Sequence, residues 1–362
     1  MSTLNQRTRV SSSIDAGKTH LDAYGLLRVA RRTFSLTAYG TAHRIRVASI
    51  RAGRTQASES IMSSTRAVTV RDCVIGGPDL VVMAGPCALE SREQIFRAAE
   101  VVSACGARFL RGGAFKVRTA PTAFQGLGWE GWRLLREAAD AFSLLTVSEI
   151  LDEQQIEPAR RYVDFGQIGS RNMQNIPLLK ALGRARIPVL LKRGFGCTID
   201  EWVHAAEYVL NEGNPDVVMC ERGIRTFETA TRFTLDVAAV PIAKKRLGLP
   251  VIVDPSHAAG HLDWVECLTL AGVAAGGDGL LVETHPDPAK ALSDGPQAVP
   301  LSEFPALMEK ARRVAHAVGR YIPTRDASLG RIAGGPRPPE ALRSDQALRA
   351  RPVASSEPSV LV

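Results

Sequence analysis

Hydrophobic residues in this chain fall into short unbroken runs that stop abruptly at ionisable side chains. Leu249-Pro-Val-Ile-Val-Asp-Pro-Ser-His257 is the plainest case; Val81-Val-Met-Ala-Gly-Pro-Cys87, Phe109-Leu-Arg111, Val189-Leu-Leu-Lys192-Arg193, Val217-Val-Met-Cys-Glu-Arg222 and Leu280-Leu-Val-Glu283 repeat it. Such runs, bounded by Gly and Pro, predict strands buried on both faces. Strands are expected near 80–85, 108–112, 143–148, 164–169, 188–193, 216–221, 250–254 and 278–283. Between them apolar positions recur at helical spacing, predicting helices near 92–104, 130–141, 152–161, 175–183, 198–211, 228–246, 263–275 and 303–319. Ser91, Thr198 and Ser302 are candidate N-caps, and Glu201 completes a capping box with Thr198. Eight strands, each followed by a helix, predict an α/β fold, the (β/α)8 TIM barrel. Polar residues at strand C-terminal ends form the catalytic face of such a barrel, so the ends of these runs are where an enzyme's site is expected.

A barrel of this kind uses roughly 250 residues, which leaves extensions at both ends of the 362-residue chain. The net charge of +8 lies wholly in residues 1–72, which carry twelve Lys and Arg against four Asp and Glu. The rest is neutral, so the globular part gives no electrostatic case for nucleic acid. No aromatics interleave with the arginines of 1–72 in a single-strand-binding pattern. The organisation predicted is a basic, disordered extension over 1–72, a catalytic barrel over 73–325 and a disordered tail over 326–362. A transit peptide for organelle import shares the composition of 1–72 and is the alternative there. Cys73, Cys87, Cys105, Cys197, Cys220 and Cys267 show neither a CxxC pair nor a disulfide framework, which fits a reducing cytoplasm. No apolar stretch approaches the roughly 20 residues needed to cross a bilayer.

Two classes of side chain collect at the predicted strand ends. Cys87, His257 and Glu283, with Asp294 in the loop beyond, offer a thiolate, an imidazole and two carboxylates, a set suited to a divalent first-row transition metal. Arg111, Lys116, Arg118, Arg171, Lys192, Arg193 and Arg222 are cationic. Glu149, Glu221 and Asp254 can neutralise some of them; the excess implies at least two anionic groups on the substrates.

The order of motifs is specific. Arg111-Gly-Gly-Ala-Phe-Lys116-Val-Arg118-Thr119, Gln167-Ile-Gly-Ser-Arg171-Asn-Met-Gln-Asn175, Leu191-Lys192-Arg193-Gly194, Cys220-Glu-Arg-Gly-Ile-Arg-Thr-Phe-Glu-Thr-Ala230, Asp254-Pro-Ser-His-Ala-Ala-Gly260, His285-Pro-Asp-Pro288 and Leu292-Ser-Asp-Gly-Pro-Gln297 follow one another. From about residue 68 to 320 the chain resembles the 3-deoxy-D-arabino-heptulosonate 7-phosphate (DAHP) synthases. The similarity is to the type I branch nearest the 3-deoxy-octulosonate 8-phosphate synthases. Before residue 68 it resembles neither the ferredoxin-like nor the chorismate-mutase regulatory domain of some members. The resemblance implies condensation of phosphoenolpyruvate with erythrose 4-phosphate, the first step of the shikimate pathway. It implies that Cys87, His257, Glu283 and Asp294 hold Mn, Fe, Co or Zn. By the same resemblance Arg111, Lys116, Arg171, Lys192 and Arg222 clamp phosphoenolpyruvate, while Arg118 and Thr119 bind the aldose phosphate. Lys116 as proton donor and Glu149 as orienter of water join His257 as catalytic residues, and a homodimer or homotetramer is implied.

Two positions depart from the family pattern. Val117 stands where Lys-Pro-Arg-Thr is usual, and Ser170 replaces a small Ala before Arg171. Proline fixes φ, so valine loosens the loop and leaves the identity of the aldose open. The rival synthase for 3-deoxy-octulosonate 8-phosphate usually carries a Lys-Ala-Asn-Arg-Ser-Ser loop, absent here. A non-catalytic regulatory paralogue would be marked by loss of a ligand or clamp cation, and none is lost.

Overall fold

The computed structural model describes residues 65–118, 120–326 and 331–333. Eight parallel strands follow one another in register: β1 Val81–Gly85, β2 Phe109–Arg111, β3 Leu145–Glu149, β4 Phe165–Ile168, β5 Val189–Lys192, β6 Val217–Glu221, β7 Val251–Val253 and β8 Gly279–His285. Each pairs with its neighbour, and β8 pairs with both β1 and β7, so the sheet closes on itself. Helices Arg92–Ala104, Trp129–Ala141, Ile156–Ala159, Ile176–Ala185, Ile199–Asn211, Ala239–Leu247, Leu262–Ala274 and Phe304–Ala317 follow the strands in turn. This is the predicted (β/α)8 barrel.

Closure explains the unbroken apolar runs. Val81, Met83, Phe109, Phe165, Leu190, Val218, Ile252 and Leu281 pack together in one cluster. The alternate positions Val82, Ala84, Leu110, Leu191 and Val253 pack in the other, with helix residues such as Trp132, Trp202 and Phe304. A strand with cores on both faces has no polar alternation to show. None of the described helices is long and apolar enough to cross a membrane.

Several expected boundaries move. Ser91 caps its helix by accepting from Gln94 N, and Thr198 with Glu201 makes the full capping box. Ser302 does not cap; the helix begins after Glu303 without a side-chain cap. The helix expected over 228–246 is confined to Ala239–Leu247. Residues ahead of it form a loop pinned by an antiparallel bridge between Ile224 and Thr234, which turns Phe233 inward. The helix expected over 152–161 is one 3-10 turn followed by Ile156–Ala159.

A hairpin crosses the domain boundary expected after residue 72. Val68–Val70 pairs antiparallel with Cys73–Ile75 through a turn at Arg71, whose φ is 55°. Val68, Val70, Cys73 and Ile75 are buried in the same cluster as Val81, Met83 and Phe109. Alternating in–out strands of three residues, crossing a change in composition, leave too little period to read. At the other end Thr324–Asp326 pairs with Arg331–Ala333, so the boundary after 325 also cuts a hairpin. What was expected of 1–64, 327–330 and 334–362 lies outside the described residues.

A chain starting at residue 65 keeps the N-terminal hairpin; one starting at residue 73 loses its first strand. Val68 and Val70 are fully buried, and burial of such a side chain contributes about 1.5–3 kcal/mol. The shorter chain should therefore melt roughly 5–20 °C lower, at about 2–4 °C per kcal/mol for this size. Equal melting temperatures would show that the hairpin does not seal the barrel.

Candidate active site

The C-terminal ends of the strands surround a cavity of about 310 Å³, lined by Arg111, Lys116, Arg118, Arg171, Lys192, Arg222 and Arg232 with Glu149, His257 and Asp294. Ligand atoms of Cys87, His257, Glu283 and Asp294 all lie within 4.8 Å of one another. His257 Nε2 is 3.2 Å from Glu283 Oε1, and Cys87 Sγ donates to Asp294 Oδ2 at 3.1 Å. His257 is carried on a one-turn helix, Pro255–Ala259, capped by Asp254, whose Oδ1 accepts from His257 N at 3.0 Å. Asp254 Oδ2 also lies 2.7 Å from His257 Nδ1. The two are close, but the ring direction falls outside hydrogen-bond geometry, so Asp254 supports the ring through its charge. A carboxylate behind the second nitrogen orients an imidazole for metal ligation.

Burial sets the protonation of these groups. It pushes the Cys87 thiol up to about 12, with Glu283 adding to the shift. Burial also lowers His257 below its ordinary value, against the pull of Asp254 and Glu283, so the ring is neutral at pH 7. Burial opposes charge on Glu283 and Asp294 as well, yet both are held low: Glu283 by His257 and Arg111, Asp294 by His257 and Arg232. The donor set is therefore one neutral imidazole, two carboxylates and a thiol with one proton to lose, which fits a divalent transition metal.

The cations divide by partner. Arg111 pairs with Glu283 at 2.6 Å, Lys192 with Asp254 at 2.6 Å, and Arg193 with Glu221 at 2.9 Å and Asp236 at 2.8 Å. Arg193 is thus a buried structural ion pair and does not line the cavity, unlike the other expected cations. Arg222, 3% exposed, makes only 3.4 Å contacts to the carbonyls of Gly223 and His257. Among the described residues neither Arg222 nor Arg171 has a carboxylate within ion-pair distance; each lies over an aromatic ring instead. Burial without a counter-ion pulls Arg222 down to about 10.

Two close approaches fix the remaining polar groups. A Cβ at Gly169 would sit 2.0 Å from Glu149 Oε1, so a larger residue there would push the Glu149 carboxylate from this position. A Cβ at Gly113 would meet Lys116 Cδ at 2.7 Å and the Cys87 carbonyl at 2.8 Å. Lys116 Nζ consequently reaches Cys87 Sγ at 3.0 Å. Burial disfavours its charge, but Cys87, Glu149 and Glu283 raise its pKa overall. Arg118 hydrogen-bonds Ser293, which in turn contacts Cys87 Sγ at 3.2 Å. Thr119 lies outside the described residues.

Sequence reading missed Arg232 and Gln297. Arg232 Nη1 donates to Asp294 Oδ1 at 3.2 Å and to Gln297 Oε1 at 3.0 Å, and Gln297 Nε2 donates to Glu283. Arg232 was hidden inside the expected helix; the Leu292-Ser-Asp-Gly-Pro-Gln297 motif contained Gln297 without marking it.

The described residues form a closed (β/α)8 barrel with a cation-lined cavity and a four-residue cluster that could hold a metal at its strand ends. Comparison with known proteins identifies the family. Residues 55–318 match the DAHP synthetase I family, and the chain belongs to that family. It is 47% identical over 252 residues to the phospho-2-dehydro-3-deoxyheptonate aldolase of Thermotoga maritima, covering 70% of this chain and 75% of that protein. It is 32% identical over 270 residues to the 2-dehydro-3-deoxyphosphooctonate aldolase of Geobacter sulfurreducens, covering 69% and 98%. A solved structure of the Thermotoga DAHP synthase superposes with a TM-score of 0.69 at 46% identity, over 71% of this chain and 75% of that one. A truncated form of the Thermotoga enzyme gives 0.66 at 44%, over 71% and 94%.

A divalent cation entering the four-ligand set must displace the Cys87 proton, because the thiolate is the ligand. His257 is neutral and the carboxylates are ionised near pH 7, so among the four ligands the thiol is the one with a proton to lose. Zinc or manganese should release about one proton and bind up to about tenfold tighter per pH unit between about pH 6.5 and 8. Calorimetry in buffers of different ionisation enthalpy counts that proton, and Cys87→Ala should release none. Proton-neutral binding by the unaltered protein would contradict this assignment.

Proposed function

We propose that the protein condenses phosphoenolpyruvate with erythrose 4-phosphate and water to give the seven-carbon 3-deoxy-ulosonate phosphate and inorganic phosphate, the first step of the shikimate pathway. The observation that carries this is the pair of buried or cleft-lining guanidinia without counter-ions, Arg171 and Arg222, beside the four-ligand set. Arg171, Lys192 and Arg222 receive the phosphate and carboxylate of phosphoenolpyruvate, with Arg111 and Lys116 completing the clamp. Arg118, two residues beyond Lys116 on the loop after β2, receives the aldose phosphate together with Thr119. Holding both substrates this way replaces a random encounter with a positioned one.

C3 of phosphoenolpyruvate attacks the aldehyde carbon, forming the new C–C bond while electrons move onto the aldehyde oxygen. Cys87, His257, Glu283 and Asp294 would hold a divalent metal (Mn, Fe, Co or Zn), which would supply Lewis acidity toward that oxygen. Lys116, cationic at neutral pH, delivers a proton to the same oxygen. Glu149 orients water toward the electron-deficient C2 that this leaves and takes one of its protons; the C2–O bond to phosphate then breaks as the new C2 hydroxyl gives its proton to the departing phosphate, and the ketone remains. Assembly as a homodimer or homotetramer in the cytoplasm belongs to the same proposal.

A product assay with four- and five-carbon aldose phosphates, with and without chelator, tests it. The heptulosonate should form, and chelation should abolish it until a transition metal is restored. Preference for arabinose 5-phosphate would move the protein to the octulosonate branch, and no product with any aldose would favour a regulatory paralogue. Loss of one charge-assisted bond costs about 1.5–3 kcal/mol, so Arg118→Ala should raise the KM for the aldose about 10- to 150-fold and leave phosphoenolpyruvate nearly unaffected. Arg222→Ala should do the reverse. Equal effects of Arg118→Ala on both substrates would overturn the partition of cations. Val117→Pro, at an exposed loop position, should tighten aldose binding slightly by pre-setting φ.

A further inference from the structure

We infer that Phe195 is a positioning residue, the platform that holds the arginine clamp open for phosphate. This rests on the proposed role of Arg171 and Arg222 in binding phosphoenolpyruvate. Phe195 follows Lys192-Arg193-Gly194 at the end of β5 and lines the cavity, half-buried. Its ring lies 5.2 Å from Arg171 Cζ, 5.1 Å from Arg222 Cζ and 5.5 Å from Arg225 Cζ. The other face of the arrangement is Phe233, stacked on Phe195 at 5.1 Å with planes 9° apart and 4.1 Å from Arg222 Cζ. Phe195 is held to the same loop by its carbonyl, which accepts from Arg225 N at 2.6 Å.

Three guanidinia around one ring repel one another, and Arg222, buried while Arg171 and Arg225 are exposed, needs an attractive partner. A carboxylate would supply it, as Asp254 does for Lys192 and Glu221 for Arg193. A carboxylate would also accept the N–H donors and compete with an incoming phosphate. An aromatic face attracts the guanidinium through its quadrupole and has no lone pair to take those donors. The rings therefore hold Arg171 and Arg222 at the cavity wall without an acid taking their N–H groups. The acid-held cations of this site are structural or only partly available; the ring-held ones are ready for an anion.

The test compares Phe195→Leu with Phe195→Tyr in the full-length protein, using inorganic phosphate and phosphoenolpyruvate as separate calorimetric probes, alongside steady-state kinetics. Phe195→Leu should weaken binding of both probes about 5- to 30-fold while the aldose KM changes less than about twofold. Phe195→Tyr, which keeps the aromatic face, should bind within about twofold of the unaltered protein. Undiminished phosphate affinity in a folded Phe195→Leu variant, or equal losses in both variants, would overturn the platform, the latter showing that side-chain shape alone matters. An unaltered protein that binds phosphate but turns over no phosphoenolpyruvate would sink the proposed function, leaving the phosphate comparison to decide the platform.

Discussion

More positive charge is fixed around the cavity than its acids can neutralise, and the rest of the site follows from that imbalance. Seven Lys and Arg side chains line the cavity against Glu149 and Asp294. Behind them Asp254 and Glu283 are fully buried and already committed, to Lys192 and His257 in one case and to Arg111 and His257 in the other. Burying charge without a partner is costly, and Arg222 is buried with no carboxylate at ion-pair distance among the described residues. In the proposed reading, phosphorylated, carboxylated substrates supply the missing negative charge.

The barrel makes that imbalance sustainable. Its interior is filled with Phe109, Phe165, Leu190 and their neighbours, and the Val68–Val70 and Cys73–Ile75 hairpin is buried in the same cluster. Polar strand ends are left to converge at the C-terminal face, where side chains from different strands meet across the mouth. Arg111 of β2 thus reaches Glu283 of β8, and Lys192 of β5 reaches Asp254 beyond β7. Each pairing places a cation at a defined point, while the aromatic pair Phe195 and Phe233 does the same for arginines that have no acid.

Much of this was legible in the sequence because two simple signals coincide. Continuous apolar runs reveal strands with cores on both faces, and their sharp polar ends reveal which side chains reach the mouth. Cys87, His257 and Glu283 were found that way, with Asp294 in the loop beyond, and the four do converge. The cations were found as a class, but their partners were not, since Arg111 and Glu283 are 172 positions apart. Arg193 therefore read as a cleft cation although Glu221 and Asp236 bury it. Arg232 escaped because the residues ahead of Ala239–Leu247 show helical spacing yet fold as a loop over the cavity. The N-terminal hairpin escaped because three-residue strands carry almost no periodicity.

The most direct test of the account is a crystal structure of the protein with phosphoenolpyruvate bound. The account predicts phosphate and carboxylate oxygens hydrogen-bonded to Arg171, Lys192 and Arg222, with the guanidinia still over Phe195 and Phe233 and with Asp254 still on Lys192. Phosphoenolpyruvate seated elsewhere, or Arg222 swung onto a protein carboxylate with the ligand absent from the cavity, would contradict it.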